Sequence, residues 1–517
     1  MSASRGADTA DLNRLAIIDL GSNTARLVLL GYEPGRRYGL LDELRQVVRL
    51  SEGMTEAGGG IIRADAFERG LQPLATFRAF CDAAKVDDLC ATATSAVRDA
   101  ANGGAFLAAV RERTGLELRL LSGEEEARYG ALAVVNSSAL EGGFVLDIGG
   151  GSAQLSRVEG RRVVWGGSWP LGAVRMTERF FSDPPKKKEV KALVKHVKET
   201  LGDDPAGFGD GAPLYGLGGT IRNLAKMQLA RSGSPLDLLH GYVFTEDALA
   251  EITDLLLGRS SADRAELPGL SADRADIIAA GAVVALTVLR RSGAGSLTIS
   301  AQGLREGLFY PYLVPEAPHL IEDVRAFSVA NLERRYYDHP AHNAHVATLA
   351  LSLFDGLAEL HGYGAAEREL LHAAARLHDI GMAVNYFDHH KHGFYLLLSG
   401  ALPGFTHREQ ALVALLVRYH RKGAPSDQGL GPVLAEGDMA RVEKLGALLR
   451  LAEYLERSKA QRVTGLRCHV GDAYVQLELL GHATAVERRE AEARKGLFES
   501  AYGVTLELRS VGSGQAR

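Results

Sequence analysis

The sequence predicts an α/β fold with an internal duplication, in which two lobes flank a cleft and are followed by an all-α domain and a small α/β tail. A strand, a turn that opens with Asp-x-Gly, and two further strands occur twice, near Ala16 and near Phe144. Helical and extended segments alternate through both halves, only helical periodicity follows from Pro311, and short strands return beyond Gly465. Two such halves are expected to face each other across a cleft.

Each copy places one aspartate directly before a turn of small residues. Because glycine has no Cβ atom, the backbone N–H groups of such a turn can approach an anion closely, and hydroxyl groups add donors. A carboxylate there repels phosphate unless a cation or a water lies between them, so Asp19 and Asp147 indicate Mg²⁺ coordination or water activation. One copy alone could be a glycine-rich hairpin, but the repetition favours a site. The predicted phosphate-binding residues are Gly21, Ser22, Asn23 and Thr24, and Gly149, Gly150, Gly151 and Ser152.

The paired turns resemble the phosphate loops of the superfamily of actin, sugar kinases and the 70-kilodalton heat-shock proteins. The segments between them, ATSAVRDAANG and SGEEEARYG, resemble the family of exopolyphosphatases and guanosine pentaphosphate phosphohydrolases. The resemblance covers most of the chain. It implies an actin-like (ribonuclease H-like) ATPase fold, a homodimer, and Mg²⁺ as cofactor, with Mn²⁺ as an alternative ion and K⁺ as a stimulating one.

A helix predicted over 65–84 and a strand over 86–93 lead to the first of these segments. Thr92, Thr94 and Ser95 can cap the helix that follows the strand. Arg98 lies one turn further, where its guanidinium could face the cleft and bind phosphate in a bidentate manner. The resemblance supports a substrate-binding arginine at this position.

The three consecutive glutamates after the short strand predicted over 116–121 have different expected roles. With Ser122 as N-cap, Glu125 completes a capping box and Glu124 lies in the first turn, where a negative charge favours the helix dipole. Glu126 has no such structural role and projects in another direction. The resemblance implies that Glu126 is the catalytic base, acting together with Asp147.

The second half contains a third glycine turn and a closing signature. The segment 214–224 predicts a strand, a turn and a helix start, where free N–H groups favour anions. Further phosphates are therefore expected at Gly218, Gly219 and Thr220. A helix is predicted over 276–289 and a strand over 296–299, and the segment AQGLREGL from Ala301 resembles the end of the family's second half.

An amphipathic helix predicted over 186–201 carries a stripe of lysines opposite its apolar face. The stripe is either the solvated face of an ordinary helix or a track for a long polyanion. Its members are Lys188, Lys191, Lys195 and Lys198.

Gln154, on the strand that leaves the second turn, departs from the family pattern, which usually places glutamate there. The resemblance puts this side chain beside the metal. An amide keeps one oxygen ligand but removes a negative charge, so we expect weaker Mg²⁺ binding than in a glutamate-bearing relative.

Histidines are abundant in the helical part, after a linker marked by Pro311, Pro315 and Pro318. The segment LHDIG, with one histidine a helix earlier, resembles the HD domain of metal-dependent phosphohydrolases. That resemblance implies a divalent metal bound by His342, His378, Asp379 and Glu453, of which the last replaces the usual aspartate with a longer side chain. Exopolyphosphatases commonly keep this domain as a binding and dimerisation module without chemistry of its own, so both alternatives stay open.

Length and composition limit the class of protein. The 517 residues predict three or four domains, drawn here at 14–138, 139–311, 319–464 and 465–510. A net charge of −5 argues against nucleic acid or membrane as a partner. Three cysteines without C-x-x-C spacing fit a reducing cytosol. Residues 1–13 contain no apolar core of a signal peptide, and the first dozen residues are expected to be disordered. We therefore expect a cytoplasmic protein.

Together these features predict an exopolyphosphatase, an enzyme that removes terminal phosphate from inorganic polyphosphate in a Mg²⁺-dependent, processive reaction. The nearest alternative is hydrolysis of the 5′-terminal phosphate of guanosine pentaphosphate. A sugar kinase would share the turns but has no use for the SGEEEAR segment. A non-catalytic polyphosphate or alarmone sensor would need no base at Glu126.

Overall fold

A computed structural model describes residues 12–54, 60–202, 207–336, 340–482 and 485–510. The segment expected to be disordered lies, up to residue 11, outside the described residues. The chain divides into two compact units. Within the described residues, one comprises 12–233 with 239–324 and the other comprises 234–238 with 325–510. The four domain boundaries predicted from the sequence stay predictions.

The first lobe is a five-stranded sheet with helices. Its strands are β1 (Asn13–Leu20), β2 (Thr24–Glu33), β3 (Arg37–Val47), β4 (Asp88–Ala93) and β5 (Arg119–Leu120), in the order β3-β2-β1-β4-β5. Its helices are α1 (Ala64–Ala84), α2 (Ser95–Arg98), α3 (Gly103–Thr114) and α4 (Gly123–Val135). The strand predicted over 116–121 is only two residues long, because the adjacent β4 pairs with it only through Thr92 and Ala93.

The second lobe has a six-stranded sheet in the order β10-β11-β9-β6-β7-β8. Its strands are β6 (Gly142–Ile148), β7 (Ala153–Glu159), β8 (Arg162–Trp169), β9 (Leu214–Leu217), β10 (Val243–Thr245) and β11 (Ser296–Ile299). The helices are α5 (Ala173–Phe180), α6 (Lys187–Leu201), α7 (Gly218–Ser232), α8 (Glu246–Leu257), α9 (Ser261–Ala265), α10 (Ile278–Ser292) and α11 (Leu304–Leu313), with a 3₁₀ turn at Ala272–Arg274. The centre of this lobe is α10, which is apolar on all sides and buried along most of its length.

The predicted duplication is confirmed by sheet topology. Strands β1 to β3 form an antiparallel meander with β4 parallel to β1, and strands β6 to β8 repeat it with β9 parallel to β6. The register is also repeated, because Asp19 lies opposite Arg26 and Asp147 lies opposite Gln154. Both aspartates therefore occupy the same position in their lobes, near the carboxyl end of the first strand.

The prediction that Pro311 begins a linker is wrong, because this proline lies inside α11. A helix-interior proline loses a backbone hydrogen bond and costs about 3 kcal/mol. Here tertiary packing offsets that cost, since Tyr310 and Leu313, on either side of the proline, are fully buried. The chain leaves the helix only at Val314.

The second unit is helical with a small sheet. Its helices are α12 (Val324–Tyr336), α13 (Pro340–Gly356), α14 (Ala358–His361), α15 (Ala365–Leu377), α16 (His389–Ser399), α17 (His407–Tyr419) and α18 (Asp438–Leu455), with 3₁₀ turns at Ile380–Ala383 and Gly431–Val433. The tail comprises β12 (Val463–Val470), β13 (Tyr474–Gly481), α19 (Ala485–Glu492), α20 (Gly496–Tyr502) and β14 (Thr505–Ser510). As predicted, the tail packs on the helices, because Leu477 and Phe498 share one buried core with Leu448. None of the described helices combines the length and apolarity needed to cross a membrane.

Candidate active site

The two Asp-x-Gly turns have the same backbone geometry. In the first, the N–H of Gly21 donates to the carbonyl of Thr24 at 3.0 Å, and in the second, the N–H of Gly149 donates to the carbonyl of Ser152 at 2.9 Å. Each turn therefore closes on itself directly after its aspartate strand. The remaining small residues of each turn project into the space between the lobes.

The turns of the two lobes touch each other at the bottom of the cleft. Ser22 Oγ lies 2.9 Å from Ser95 Oγ, and a Cβ atom at Gly151 would lie 2.8 Å and 2.7 Å from these two oxygens. A side chain at Gly151 would therefore require both serine hydroxyls to move. The expectation that the two turns face each other is thus confirmed.

The third turn approaches the second aspartate. Gly218 begins α7 with φ +90°, and a Cβ atom there would overlap Oδ1 of Asp147. A Cβ atom at the next residue, Gly219, would overlap the guanidinium of Arg274. The start of α7 therefore lies against both a carboxylate and a guanidinium, and the free N–H groups of its first turn add positive potential to the cleft.

A cleft of about 120 Å³ lies between the three turns and is lined mainly by polar groups. Three carboxylates and four guanidinium groups reach it, and these come from both lobes. The carboxylates belong to Asp19, Glu126 and Asp147, and the guanidinium groups to Arg26, Arg222, Arg274 and Arg305. The arginines exceed the carboxylates by one charge, and the turns add N–H donors, so the cleft is suited to an anion.

Burial raises the pKa of all three carboxyl groups. It raises the pKa of Glu126 to about 7, although Arg98 acts in the opposite direction. It raises that of Asp147 to about 6, with Arg222 opposing, and raises that of Asp19, with Arg305 opposing. Ionised carboxylates in this cleft therefore favour a nearby cation.

Burial also lowers the pKa of most of the arginines. It lowers the pKa of Arg26 and of Arg274 to about 10, and it lowers that of Arg222, where the charge of Arg305 adds to the effect. Positive charges held close together in a partly dehydrated cleft repel each other, and a bound anion relieves this repulsion.

Of the three consecutive glutamates, two have the structural roles predicted for them, and Glu126 reaches the cleft. The capping box is confirmed: Ser122 Oγ accepts from the N–H of Glu125 at 3.1 Å, and the Glu125 carboxylate accepts from the N–H of Ser122 at 2.9 Å. Glu124 lies in the same first turn. Of the three glutamates, only Glu126 lines the cleft.

The Glu126 carboxylate lies between two donors. Its Oε1 accepts a hydrogen bond from Arg98, which also donates to the carbonyl of Leu121 at 2.7 Å. Its Oε2 lies 3.3 Å from Nε2 of Gln154, an amide that is also 2.8 Å from Ser152 Oγ and 3.0 Å from Ser168 Oγ. Both carboxylate oxygens are therefore fixed in position.

Comparison with known proteins assigns the chain to a family. A sequence model described as the Ppx/GppA phosphatase family matches residues 35–315, and a second one, for domain III of that family, matches residues 324–490. The chain belongs to the Ppx/GppA phosphatase family. Its actin-like fold of two lobes, its helical region and its small sheet agree with this assignment.

Solved structures resemble part of this chain. A family member from Aquifex aeolicus is 31% identical with a TM-score of 0.50, and the match covers 58% of this chain and 96% of that one. An exopolyphosphatase from Cytophaga hutchinsonii is 24% identical with a TM-score of 0.54, and the match covers 58% of this chain and 98% of that one. The second likeness shows the fold alone.

Most of the residues predicted for the cleft of this Ppx/GppA protein line it, and three do not. Gly151 lies at the contact between the lobes, and Thr220 is buried inside α7. Arg98 lines a neighbouring depression, which adjoins the cleft at Ser152 and also includes the start of α4. Arg98 therefore lies beside the cleft and does not line it. The roles of all these residues stay predictions.

The capping roles predicted for three hydroxyl groups are wrong. Thr92 Oγ1 donates to the carbonyl of Ile18 at 3.1 Å, Thr94 makes no side-chain cap to α2, and Ser95 bonds to Ser22. Helix α2 is only one turn long. The hydroxyls connect β4 to β1 and to the first turn instead. Thr94 and Ser95 thereby become lining residues of the cleft.

The four arginines of the cleft were not predicted as site residues. Arg26 lies opposite Asp19 in the sheet. An alignment of the two repeated units could therefore have indicated Arg26 as a site residue. Arg222 follows the third glycine turn, and Arg305 lies in the segment AQGLREGL, so both belong to motifs already recognised. Arg274 lies in a 3₁₀ turn without a motif, and nothing in the sequence marks it.

The carboxylates of the cleft could hold a divalent cation. Asp19 Oδ1 is buried and has no hydrogen-bond partner, and the nearest Arg305 nitrogen lies 3.8 Å from Oδ2. Asp147 and Gln154 lie opposite each other at the mouth of the second turn. Oxygen ligands of this kind suit Mg²⁺, so the residues fit the ion that the family resemblance implies.

The helical unit, which corresponds to domain III of the Ppx/GppA family, brings the four predicted metal-binding residues together. Glu453 Oε2 lies 3.3 Å from His342 Nε2 and 3.2 Å from His378 Nε2. Asp379 lies 3.7 Å from both histidines. Two further histidines, His389 and His420, contact the same aspartate.

Proposed function

We propose that the chain is an exopolyphosphatase that hydrolyses the terminal phosphoanhydride bond of inorganic polyphosphate. The observation that carries the proposal is the meeting of four arginines, three N–H-rich turns and a carboxyl group with a pKa of about 7 in one cleft. The arginines and turns suit a chain end with several charges, and the carboxyl suits proton transfer near neutral pH.

The lining of the cleft favours a substrate made of phosphate alone. Among the described residues that line it, none is aromatic, so no ring is available to stack on a guanine base. The volume of about 120 Å³ is also far below the roughly 300 Å³ at which pockets begin to enclose a drug-sized molecule. Both features favour polyphosphate over guanosine pentaphosphate.

In the proposed reaction, a water oxygen attacks the terminal phosphorus and the bond from that phosphorus to the bridging oxygen breaks. Glu126 accepts a proton from the water, and the products are orthophosphate and a polyphosphate chain shorter by one unit. The N–H groups of the turns and the four arginines bind the phosphoryl oxygens and stabilise the charge that they carry. Arg98, beside the cleft, orients Glu126 and can pair with a phosphate in its place.

Asp19 and Asp147 would hold Mg²⁺, with Gln154 next to the second of them. When bound, the ion polarises phosphoryl oxygens and lowers the pKa of a coordinated water. The turn glycines keep both carboxylates close to the phosphate path, since Gly218 leaves space for the Asp147 carboxylate that no other residue would leave.

The test is a phosphate-release assay on the purified full-length chain, with long polyphosphate, tripolyphosphate and guanosine pentaphosphate, in Mg²⁺ and in excess chelator. We expect release from polyphosphate without an added acceptor, loss of the activity in chelator, and no accumulation of chains of intermediate length. Release that requires a sugar acceptor would instead indicate a kinase. Faster turnover of guanosine pentaphosphate than of polyphosphate would contradict the proposed substrate, and no release from any of the three would favour a sensor.

We also propose a cytoplasmic homodimer that accepts Mn²⁺ in place of Mg²⁺ and is stimulated by K⁺. Sedimentation equilibrium would give the molar mass, and the same assay with each ion would give the cation dependence. The molar mass of a monomer at micromolar concentration would contradict the proposed homodimer.

A further inference from the structure

Six polar side chains of the helical unit converge on one buried point. Two lie within helices α13 and α18, and one is the first residue of α16. The other three directly follow helices α15 and α17. Each is at most 5% exposed. The residues are His342, His378, Asp379, His389, His420 and Glu453. Only four of them were predicted from the sequence, and none of them belongs to the cleft between the lobes.

Asp379 lies between two groups of ligand atoms. On one side, its Oδ1 lies 3.1 Å from His389 Nε2 and 4.0 Å from His420 Nε2, and these two nitrogens are 3.2 Å apart. On the other side are His342, His378 and Glu453, with nitrogen–oxygen separations of 3.2 Å to 3.7 Å. Ligand atoms bound about 2.1 Å from one ion lie roughly 3.0–3.4 Å apart. The closest pairs in both groups have this spacing, and the pairs at 3.7 Å and 4.0 Å are longer.

The hydrogen bonds of three histidines fix which nitrogen faces the centre. Nδ1 of His378, His389 and His420 lies 2.7 Å, 2.9 Å and 2.7 Å from the carbonyl oxygens of residues 375, 386 and 417. A carbonyl only accepts, so each Nδ1 carries a hydrogen, and a neutral ring in this orientation directs its Nε2 lone pair inwards. Histidines that bind metals are held in this way.

The lone pairs of His389 and His420 face each other at 3.2 Å, an arrangement that is repulsive unless a cation lies between them. A metal ion satisfies both nitrogens and the carboxylate together.

The two buried carboxylates of the cluster also attract cations. Asp379 and Glu453 place two negative charges in a buried cluster, and Lys459, whose Nζ lies 3.0 Å from Asp379 Oδ2, supplies one positive charge. Buried carboxylates need a partner of opposite charge. Imidazole together with carboxylate suits Mn²⁺, Fe²⁺, Co²⁺ or Zn²⁺, in contrast to the oxygen ligands of the cleft.

We propose that the helical unit binds two divalent transition-metal ions that share Asp379. One ion is held by His342, His378 and Glu453, and the other by His389 and His420. The proposal does not depend on the function assigned to the cleft. Compared with the site predicted from the sequence, it adds His389 and His420 as ligands and has two metal ions instead of one.

The test uses Co²⁺ as the probe on the full-length chain, stripped with chelator. Bound cobalt is counted by atomic emission after gel filtration, and its visible absorption is recorded. We expect the wild type to retain two more equivalents than the double variant His342→Gln/His389→Gln, and one more than His389→Gln alone. The matched control is His361→Gln, because His361 is also a buried histidine, but its Nε2 lies 2.8 Å from the carbonyl of Phe354 and its Nδ1 accepts a backbone N–H. That variant should retain all the cobalt.

If His389→Gln bound as much cobalt as the wild type, the second ion would be absent and the proposal would be wrong. A difference of fewer than two equivalents of cobalt between the wild type and the double variant would contradict the proposal of two ions. Folding is checked by the melting temperature in chelator, which should be no lower in His389→Gln than in the control. Lys459→Met gives a second test: loss of the ammonium next to Asp379 should tighten Co²⁺ binding several-fold, and unchanged or weaker binding would oppose the proposal. Phosphate release in the cleft should be unaffected by all of these changes.

Discussion

Arg98 donates a hydrogen bond to the carboxylate of Glu126, so the proposed base is paired with a cation in the structure described here. The pair has a direct consequence for proton transfer. A guanidinium stabilises the ionised carboxylate, whereas burial favours the neutral acid, and the balance raises the pKa of Glu126 to about 7. Glu126 therefore becomes a competent base as the pH rises through about 7.

Replacement of Arg98 by methionine should move the acidic limb of the pH–rate profile to higher pH. The ionised form of Glu126 loses a favourable charge, so its pKa rises further, and a higher pH is needed to produce the base. The maximal rate should also fall, by about 10²-fold if the guanidinium stabilises the transition state. The measurement is the pH dependence of kcat/KM, and a limb that stays in place would show that Arg98 does not control Glu126.

The change Gln154→Glu should lower the Mg²⁺ concentration required for half-maximal rate. A carboxylate opposite Asp147 adds a negative charge and an oxygen ligand to the proposed ion site. It also replaces a donor 3.3 Å from Glu126 by a like charge, so the acidic limb of the pH–rate profile should shift upwards as well. An unchanged or higher Mg²⁺ requirement would count against placing residue 154 in the metal site.

Gly218→Ala should abolish most of the activity and destabilise the protein. The residue has φ +90°, and its new Cβ would displace the Asp147 carboxylate. A non-glycine residue in such a conformation costs about 1–3 kcal/mol. The control is Gly233→Ala at the other end of α7, where φ is +63° and no atom lies within 4 Å of the added Cβ. Activity and thermal unfolding are measured for both, and equal activity loss in the two variants would mean that backbone strain, not Asp147, explains the effect.

Much of the site follows from the sequence because it depends on local backbone patterns. The two turns, the capping box of Ser122 with Glu125 and the separate direction of Glu126 are properties of a few consecutive residues. The duplication then places the turns opposite each other. Residues near a recognised motif, such as Arg222 and Arg305, could have been inferred from the same segments.

Other features depend on contacts between distant parts of the chain. Arg274 reaches the cleft only because its 3₁₀ turn packs against the start of α7, and nothing nearby in sequence indicates this. The helix through Pro311 persists because buried neighbours outweigh the missing hydrogen bond, which local propensity predicts incorrectly. His389 and His420 join the metal-like cluster through α16 and α17, which no short motif connects.

Replacement of the four stripe lysines, Lys188, Lys191, Lys195 and Lys198, by glutamine should weaken binding of long polyphosphate. All four are exposed on α6, and none lines the cleft. If they bind the polymer, each contact releases counterions, so the dependence of affinity on salt should become shallower by up to about one per lysine. Tripolyphosphate is the control substrate and should be unaffected. Equal effects on both substrates would identify the stripe as a solvated helix face.

Glu126 is proposed as the base for phosphate release, and a comparison of Glu126→Gln with Glu125→Gln tests this role. The two residues are adjacent in one helix turn, but Glu125 completes the capping box and Glu126 lines the cleft. The rate of phosphate release from polyphosphate at saturating Mg²⁺ and substrate is measured for both variants, together with their unfolding. We predict a loss of about 10²- to 10⁴-fold in rate for Glu126→Gln with little loss of stability, and a loss of about 0.3–1 kcal/mol in stability for Glu125→Gln with little loss of rate. Near-normal turnover in a folded Glu126→Gln variant would contradict the account.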